Sequence, residues 1–235
     1  MNCLQTRQYW TMNSAGSSGV DTISNLQCNV LEEILGCLPL KDAVKTSVLS
    51  KGWRYKWVTR QKLDFSDEFF RSFAHDQDAK TIIYQVLLLH KGQILKFKLG
   101  GPNLRNWPDI DHWILFLSKK NIQEFTLHIR SGNIYVLPSH LFTFRQLRHL
   151  EIHKCLFSPP PGFKGFEKLI NLDFYGLTFV PSVFWNLISK CPLLERLRLL
   201  WCVDFDTLEI DAPSLKFFEF RGNSKVHLLQ EHPDA

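Results

Sequence analysis

The alternating polar side chains of His149, Glu151 and His153 suggest a possible metal site. Side chains two residues apart share one face of a β-strand, so these three would point the same way, with Cys155 two residues further on. Imidazole, carboxylate and thiolate groups are all zinc ligands. Cys155 would lie beyond the end of the strand, however, and no fourth ligand stands at the spacing of a zinc site. The pattern therefore predicts that no metal ion binds here.

Signatures of catalysis are absent from the sequence. It contains no GxGxxG fingerprint, no phosphate-binding loop with GK[ST] and no GxSxG turn, so we expect no enzyme and no cofactor. The six cysteines form no CxxC pair, which favours reduced thiols in the cytosol or nucleus. Arg196, Arg198 and Arg221 have the chemistry to contact a phosphate-containing ligand.

The charge pattern argues against nucleic acid as a partner. Lys and Arg total 28 against 23 Asp and Glu, a net charge of only +5. A basic cluster between Lys51 and Lys62 is interleaved with aromatic residues, which is typical of a helix with an aromatic core side and a solvated basic side. The hydrophobic runs are far shorter than the ~20 residues that span a bilayer, so we expect no membrane association.

A repeat occupies the second half of the chain. Large apolar residues recur with two and then one intervening residue, and six copies begin at Ile94, Ile122, Leu147, Leu169, Leu194 and Leu215. The intervals between these starts lie within the roughly 20–29 residues of leucine-rich repeats. Each copy would form one strand and a returning segment, and stacked copies would supply one another's core. The sequence therefore predicts an irregular leucine-rich-repeat α/β solenoid.

The third, fifth and seventh positions of each copy would face away from this core, onto a concave strand surface. Tyr and Arg are common anchors in protein recognition, and here they stand among His and acidic residues. We therefore expect this surface to bind a target protein. The candidate residues are His149, Glu151, His153, Asp173, Tyr175, Arg196, Arg198, Glu219 and Arg221.

Residues 21–65 contain three apolar stripes at helical spacing. Pro39 ends the first helix, because its ring cannot continue the hydrogen-bond ladder. Ser50 can cap a third helix, on which Trp53 and Trp57 would share a face. Three short helices make too small a unit to bury enough apolar surface, so the pattern indicates that a partner completes their core.

Residues Asp21–Phe65 closely resemble an F-box, in the form found in plant F-box proteins with leucine-rich repeats and often a C-terminal FBD region. The resemblance rests on about 45 contiguous positions, DTISNLQCNVLEEILGCLPLKDAVKTSVLSKGWRYKWVTRQKLDF. The Leu-Pro turn, the Lys-Asp start of the second helix, the Ser-Val-Leu-Ser-Lys segment and the Trp-Arg pair all stand in family order. Residues 66–223 are also similar to the region that follows in that family.

The resemblance implies an adaptor without catalytic activity. Its F-box docks on a Skp-family protein and through it on a cullin-RING ubiquitin ligase, in an SCF complex, while the repeats hold a substrate. Each well-buried Leu or Ile anchor contributes about 1.5–3 kcal/mol to such docking. By the family's pattern the docking surface maps onto Leu26, Val30, Ile34, Leu35, Leu38, Pro39, Val48, Lys51 and Trp53.

Three features depart from the family's pattern. Gln27 follows Leu26 where a proline is usual, which removes a rigid turn from the first contact. Gly52 replaces a bulky or basic residue, at a cost of ~1 kcal/mol inside a helix. The chain stops at Ala235, where relatives often continue into an FBD region, so we expect a truncated or degenerate member.

These patterns together predict an α+β protein with repeats, made of a three-helix F-box followed by the solenoid. The expected segments are a flexible tail at 1–20, the F-box at 21–65, a linker with a helix at 66–93 and about six repeats at 94–235. Two other functions fit the same sequence. One is an interaction scaffold whose F-box has decayed, and the other is a receptor for a small ligand in the concavity of the repeats.

Overall fold

The structure is a computed structural model that describes residues 26–49, 53, 55–101, 104, 108–130, 134–179, 181–203, 207–223 and 225–229. The expected flexible tail, the first residues of the F-box segment, Ser50, Lys51 and Gly52 lie outside these ranges. Within them, short helices precede and then alternate with parallel strands, as expected of an α+β repeat protein.

The helical segment begins with α1 (Cys28–Cys37) and α2 (Leu40–Lys45), which Pro39 separates. A 3₁₀ turn, Thr46–Val48, extends α2. Among the described residues, the third helical element is a 3₁₀ helix at Lys56–Thr59 rather than an α-helix. Trp53 and Trp57, which the sequence predicted to share a face, are both buried.

A parallel sheet of seven strands follows. Six of the strands coincide with the six copies of the sequence repeat, and β1 precedes them. Their spatial order is β1 (Lys62–Phe65), β2 (Lys96–Gly101), β3 (Glu124–Ile129), β5 (His149–His153), β7 (Asn171–Tyr175), β8 (Arg196–Leu200) and β10 (Phe217–Arg221). Two smaller parallel pairs join β4 (Tyr135–Val136) to β6 (Cys155–Leu156) and β9 (Thr207–Asp211) to β11 (Lys225–Leu229).

Apolar side chains on one face of the large sheet form the core. Register partners such as Phe97 with Phe125 and Leu150 with Leu172 are at most 1% exposed. The rings of Phe97 and Phe125 stack with their centroids 6.0 Å apart. Because each copy covers the apolar side of the next, the strands are stable only as a stack.

Helices in the connecting segments bury their apolar sides in the same core. Besides the short α3 (Asp67–Arg71), they are α4 (Asp76–Leu89), α5 (Asp109–Leu117) and α6 (Pro181–Ile188). Ile83, Trp113 and Phe184, one from each of these longer helices, are almost fully buried. The proline-rich stretch 158–162 has no regular structure.

The helical segment and the repeats share one hydrophobic core. Leu31 and Leu35 of α1 belong to the same cluster of buried residues as the strands. Strand β1 lies within the predicted F-box range, yet it pairs in parallel with β2 from Lys62–Lys96 to Phe65–Leu99. The helical segment is therefore joined to the repeats by a common core and, through β1, by a common sheet.

Candidate functional site

The face of the sheet opposite the core carries three parallel rows of side chains. Parallel pairing in a constant register brings the same position of successive copies side by side. The first row is Lys62, Lys96, Glu124, His149, Asn171, Arg196 and Phe217, the second is Asp64, Lys98, Thr126, Glu151, Asp173, Arg198 and Glu219, and the third is Gly100, His128, His153, Tyr175, Leu200 and Arg221.

All nine residues predicted to bind a target lie in these rows, on strands β5, β7, β8 and β10. Their side chains are half-buried or exposed, so a partner could reach them. The structure thus brings the predicted residues together on one surface, which we call the concave face.

A network of charges crosses the middle of the concave face. Arg198 Nε donates to Glu219 Oε2 at 3.0 Å and lies 3.6 Å from Asp173 Oδ1. Arg221 Nη2 contacts the other oxygen of Glu219 at 2.8 Å. The hydrogen bond from Arg198 lowers the pKa of the Glu219 carboxyl group. Burial raises the pKa of Asp173 even though Arg198 acts in the opposite direction.

The first row ends in an aromatic contact. The Arg196 guanidinium lies over the Phe217 ring, 4.7 Å from its centroid. Such a cation–π contact contributes about 0.5–1 kcal/mol at an exposed site. Arg196 is exposed, so its guanidinium N–H donors remain accessible to a partner.

Two histidines converge on Glu151 where β3 and β5 pair. Nε2 of His128 lies 2.8 Å, and Nε2 of His153 3.2 Å, from Oε1 of Glu151. The imidazole rings stack with centroids 3.8 Å apart and planes 16° from parallel. Hydrogen bonds from the two histidines hold the pKa of Glu151 well below its ordinary value. Glu151 is therefore a carboxylate at neutral pH.

His128 was not among the predicted site residues. It holds the same position in the second copy as His153 does in the third, so the repeat period carries a signal for this pairing. His149, which the sequence grouped with His153, instead contacts Asn171, with its Nδ1 2.6 Å from Nδ2 of the amide. The spacing within β5 singled out His149, Glu151 and His153. Pairing with β3 instead brings His128 together with Glu151 and His153.

A cavity of about 240 Å³ opens beside this cluster. Glu151, His153, Asp173, Tyr175 and Arg198 supply its polar lining. A second cavity, of about 530 Å³, lies between the helical segment and the first strands rather than on the concave face, with Lys41, Arg60 and Asp64 among its lining residues. Both are open to bulk water.

The residues predicted to dock an adaptor divide into two groups. Val48 is 85% exposed and Ile34 is 40% exposed, and Leu26, Val30, Leu38 and Pro39 are exposed or half-buried. Leu35 and Trp53 are buried in the protein's own core, while Lys51 lies outside the described residues. Leu49, which the sequence reading omitted, is 64% exposed beside Val48. The exposed group alone is accessible to a partner without rearrangement.

Across the described ranges, no helix combines the length and apolar character needed to cross a bilayer.

Comparisons with protein-family models match two parts of the chain. The F-box domain model matches residues 23–64, and the model for the LRR repeats of FBD-associated F-box protein At5g56370 matches residues 110–233. The matched segments coincide with the helical segment and with most of the parallel sheet. Together they define an F-box protein with leucine-rich repeats.

Curated proteins of Arabidopsis thaliana resemble most of the chain. F-box/FBD/LRR-repeat protein At1g13570 is 41% identical over 218 residues, which cover 91% of this chain and 52% of the relative. F-box/FBD/LRR-repeat protein At3g52680 is 32% identical over 216 residues, covering 88% of this chain and 46% of the relative. The chain thus spans about half the length of these relatives. It belongs to the family of plant F-box/LRR-repeat proteins.

Proposed function

We propose that this protein is a non-catalytic substrate-recognition subunit of an SCF-type ubiquitin ligase, acting in the cytosol or nucleus. Its F-box docks on a Skp-family adaptor, and its concave face holds a target protein. One observation carries the proposal: a segment that matches the F-box domain, residues 23–64, keeps large apolar side chains in solvent.

The exposed apolar side chains suit a docking surface. Val48 and Leu49 extend into solvent directly after α2, and Ile34 does so from the outer side of α1. None of the three belongs to the protein's hydrophobic core. Covering Val48 or Leu49 with a partner contributes up to about 1.5–3 kcal/mol each, and Ile34, which is 40% exposed, contributes less.

The role in ubiquitin transfer is positional. Burial raises the pKa of the Cys191 and Cys202 thiols to about 11 and that of Cys155 further, so these thiols do not supply a thiolate nucleophile at neutral pH. Holding the target close to a ubiquitin-loaded enzyme raises its effective concentration, which accelerates transfer without chemistry by the adaptor itself.

The test is a binding measurement between the full chain and a purified Skp-family adaptor. We expect binding at micromolar concentration or tighter, and a loss of about 100-fold or more when Val48→Glu and Leu49→Glu are combined, because two apolar anchors are removed. Leu88→Glu is the matched control, since Leu88 is 83% exposed but lies on α4. It should bind like the wild type.

Failure of the wild type to bind at micromolar concentration would overturn the ligase assignment. The same result together with intact target binding by the repeats would favour the interaction scaffold with a decayed F-box. Equal losses in the double variant and in the Leu88 control would show that the docking surface lies elsewhere.

A further inference from the structure

We propose that His128, Glu151 and His153 form a binding site for a divalent transition-metal ion, with Zn²⁺ as the best match. The three side chains come from adjacent strands: His128 is on β3, and Glu151 and His153 are on β5. Their nitrogen and oxygen donor atoms all lie within 4.8 Å of one another. The site is independent of the ligase assignment, because it rests only on this geometry.

The distances fit a common metal ion. Both imidazoles direct Nε2 at the same carboxylate oxygen, at 2.8 and 3.2 Å. Two ligands bound tetrahedrally to zinc at about 2.0–2.1 Å are roughly 3.3 Å from each other. An ion must lie near the plane of each imidazole that binds it, so the two stacked rings, whose centroids are 3.8 Å apart, rotate away from each other when the three donor atoms take up the ion.

The ligand types favour zinc over magnesium or calcium. Two imidazoles and one carboxylate are a zinc set in which three protein ligands leave a fourth position open. Magnesium and calcium prefer oxygen ligands alone. The cavity beside Glu151 and His153 gives the fourth position access to water, and the half-buried side chains leave a path for the ion.

The surrounding charges permit a cation. Asp173 adds a second acidic side chain to the lining of the cavity that Glu151 and His153 share. The nearest cationic side chain in that lining, Arg198, is paired with Glu219 at 3.0 Å, so its charge is largely balanced. Thr126 Oγ1 lies 3.4 Å from Oε2 of Glu151 and helps to orient the carboxylate. Such support from neighbouring hydrogen bonds is common around metal ligands.

The experiment titrates Zn²⁺, and separately Mg²⁺, into the metal-free full chain and follows heat release. We expect one zinc per chain and no magnesium binding. His128→Gln and His153→Gln should each weaken zinc binding at least about tenfold, since even changes around the ligands cost 10–100-fold. His149→Gln is the matched control: it removes a histidine of the same strand that contacts Asn171, and it should bind zinc like the wild type.

A spectroscopic readout separates this site from binding by thiols. Co²⁺ in the wild-type chain should show ligand-field bands of a tetrahedral nitrogen and oxygen site without thiolate charge-transfer absorption, and this result does not depend on whether the variants fold. Absence of zinc binding, thiolate ligation, or affinity that survives both histidine substitutions would overturn the proposal. In each of those cases the two histidines serve only as hydrogen-bond donors to Glu151.

Discussion

Nε2 of His90 donates a hydrogen bond to the carbonyl oxygen of Arg60 at 2.7 Å. Arg60 in turn donates from Nη2 to the carbonyl oxygens of Leu38, at 2.9 Å, and Gly36, at 3.3 Å. These contacts join the end of α4 to the end of α1 through a single residue. The F-box segment is thereby fixed by polar bonds to the end of α4, in the segment that connects it to the repeats.

The environment of His90 predicts a loss of stability in acid. Burial lowers the pKa of His90, and the charge of Lys120 acts in the same direction. Above the unfolded pKa of about 6.5, the imidazole is neutral in both states. As the pH falls below that value the unfolded chain gains a proton that the folded chain resists, so the free energy of unfolding decreases until the pH passes the lowered folded pKa.

Urea denaturation between pH 8 and pH 5 measures this effect. We expect the free energy of unfolding to fall as the pH drops below about 6.5, with a contribution from His90 of at most about 1.4 kcal/mol per pH unit. His90→Gln keeps an N–H donor but cannot titrate, so it should flatten the curve. His112→Gln, at an exposed position on α5, is the control for the loss of a histidine. A slope that His90→Gln does not reduce would contradict the assignment.

Leu35 and its neighbour Ile34 should separate stability from docking. Leu35 is fully buried, so Leu35→Ala should reduce the free energy of unfolding by about 2–5 kcal/mol. Ile34 lies outside the core, and Ile34→Ala should cost less than about 1 kcal/mol while it weakens binding to a Skp-family adaptor. Paired urea denaturation and binding measurements check both expectations. Equal destabilisation by the two changes would show that α1 packs differently.

Two glycines with similar backbones provide a test of packing between copies. Gly162 and Gly165 both have positive φ, +81° and +87°. A Cβ at Gly162 would meet nothing, so Gly162→Ala should cost about 1–2 kcal/mol for the backbone conformation alone. A Cβ at Gly165 would lie 2.3 Å from the Lys190 carbonyl oxygen. Gly165→Ala should therefore destabilise the protein distinctly more, as thermal unfolding would show.

Target recognition should depend on the third row of the concave face. Tyr175→Ala with Arg221→Ala removes two accessible anchors, and because the Arg221 side chain is 66% exposed we expect little loss of stability. Copurification from cells with the proteasome blocked should lose specific ubiquitylated proteins in this variant. Trp185→Ala, at an exposed position on α6, should retain them. Identical copurified sets would exclude the third row.

The repeat was predictable because each copy places its apolar residues at the same strand positions, and every such copy forms a strand. The residues of the concave face were predicted from the same alternation of apolar and polar positions along each strand. Contacts between copies were harder to predict from the sequence. The contact of His128 on β3 with Glu151 depends on the register of the two strands as well as on the repeat period. The burial of Leu35 and Trp53 could not be predicted from either helical stripe alone, because it depends on how separate elements pack into one core.

The expected linker shows the same limit. Residues 66–93 do contain the predicted helix, but the sheet already begins at β1, before this segment. The strand KLDF is only four residues long, which is too short for its alternation of polar and apolar residues to distinguish it from the end of a helix. Only its pairing with β2 identifies it.

Hydrogen–deuterium exchange of the full chain, with and without a purified Skp-family adaptor, tests the adaptor role most directly. The account predicts that the adaptor slows exchange in α1 and in residues 46–49, while exchange in β5, β7 and β8 stays unchanged because the concave face remains free for a target. Unchanged exchange throughout α1, or protection of those three strands, would contradict it.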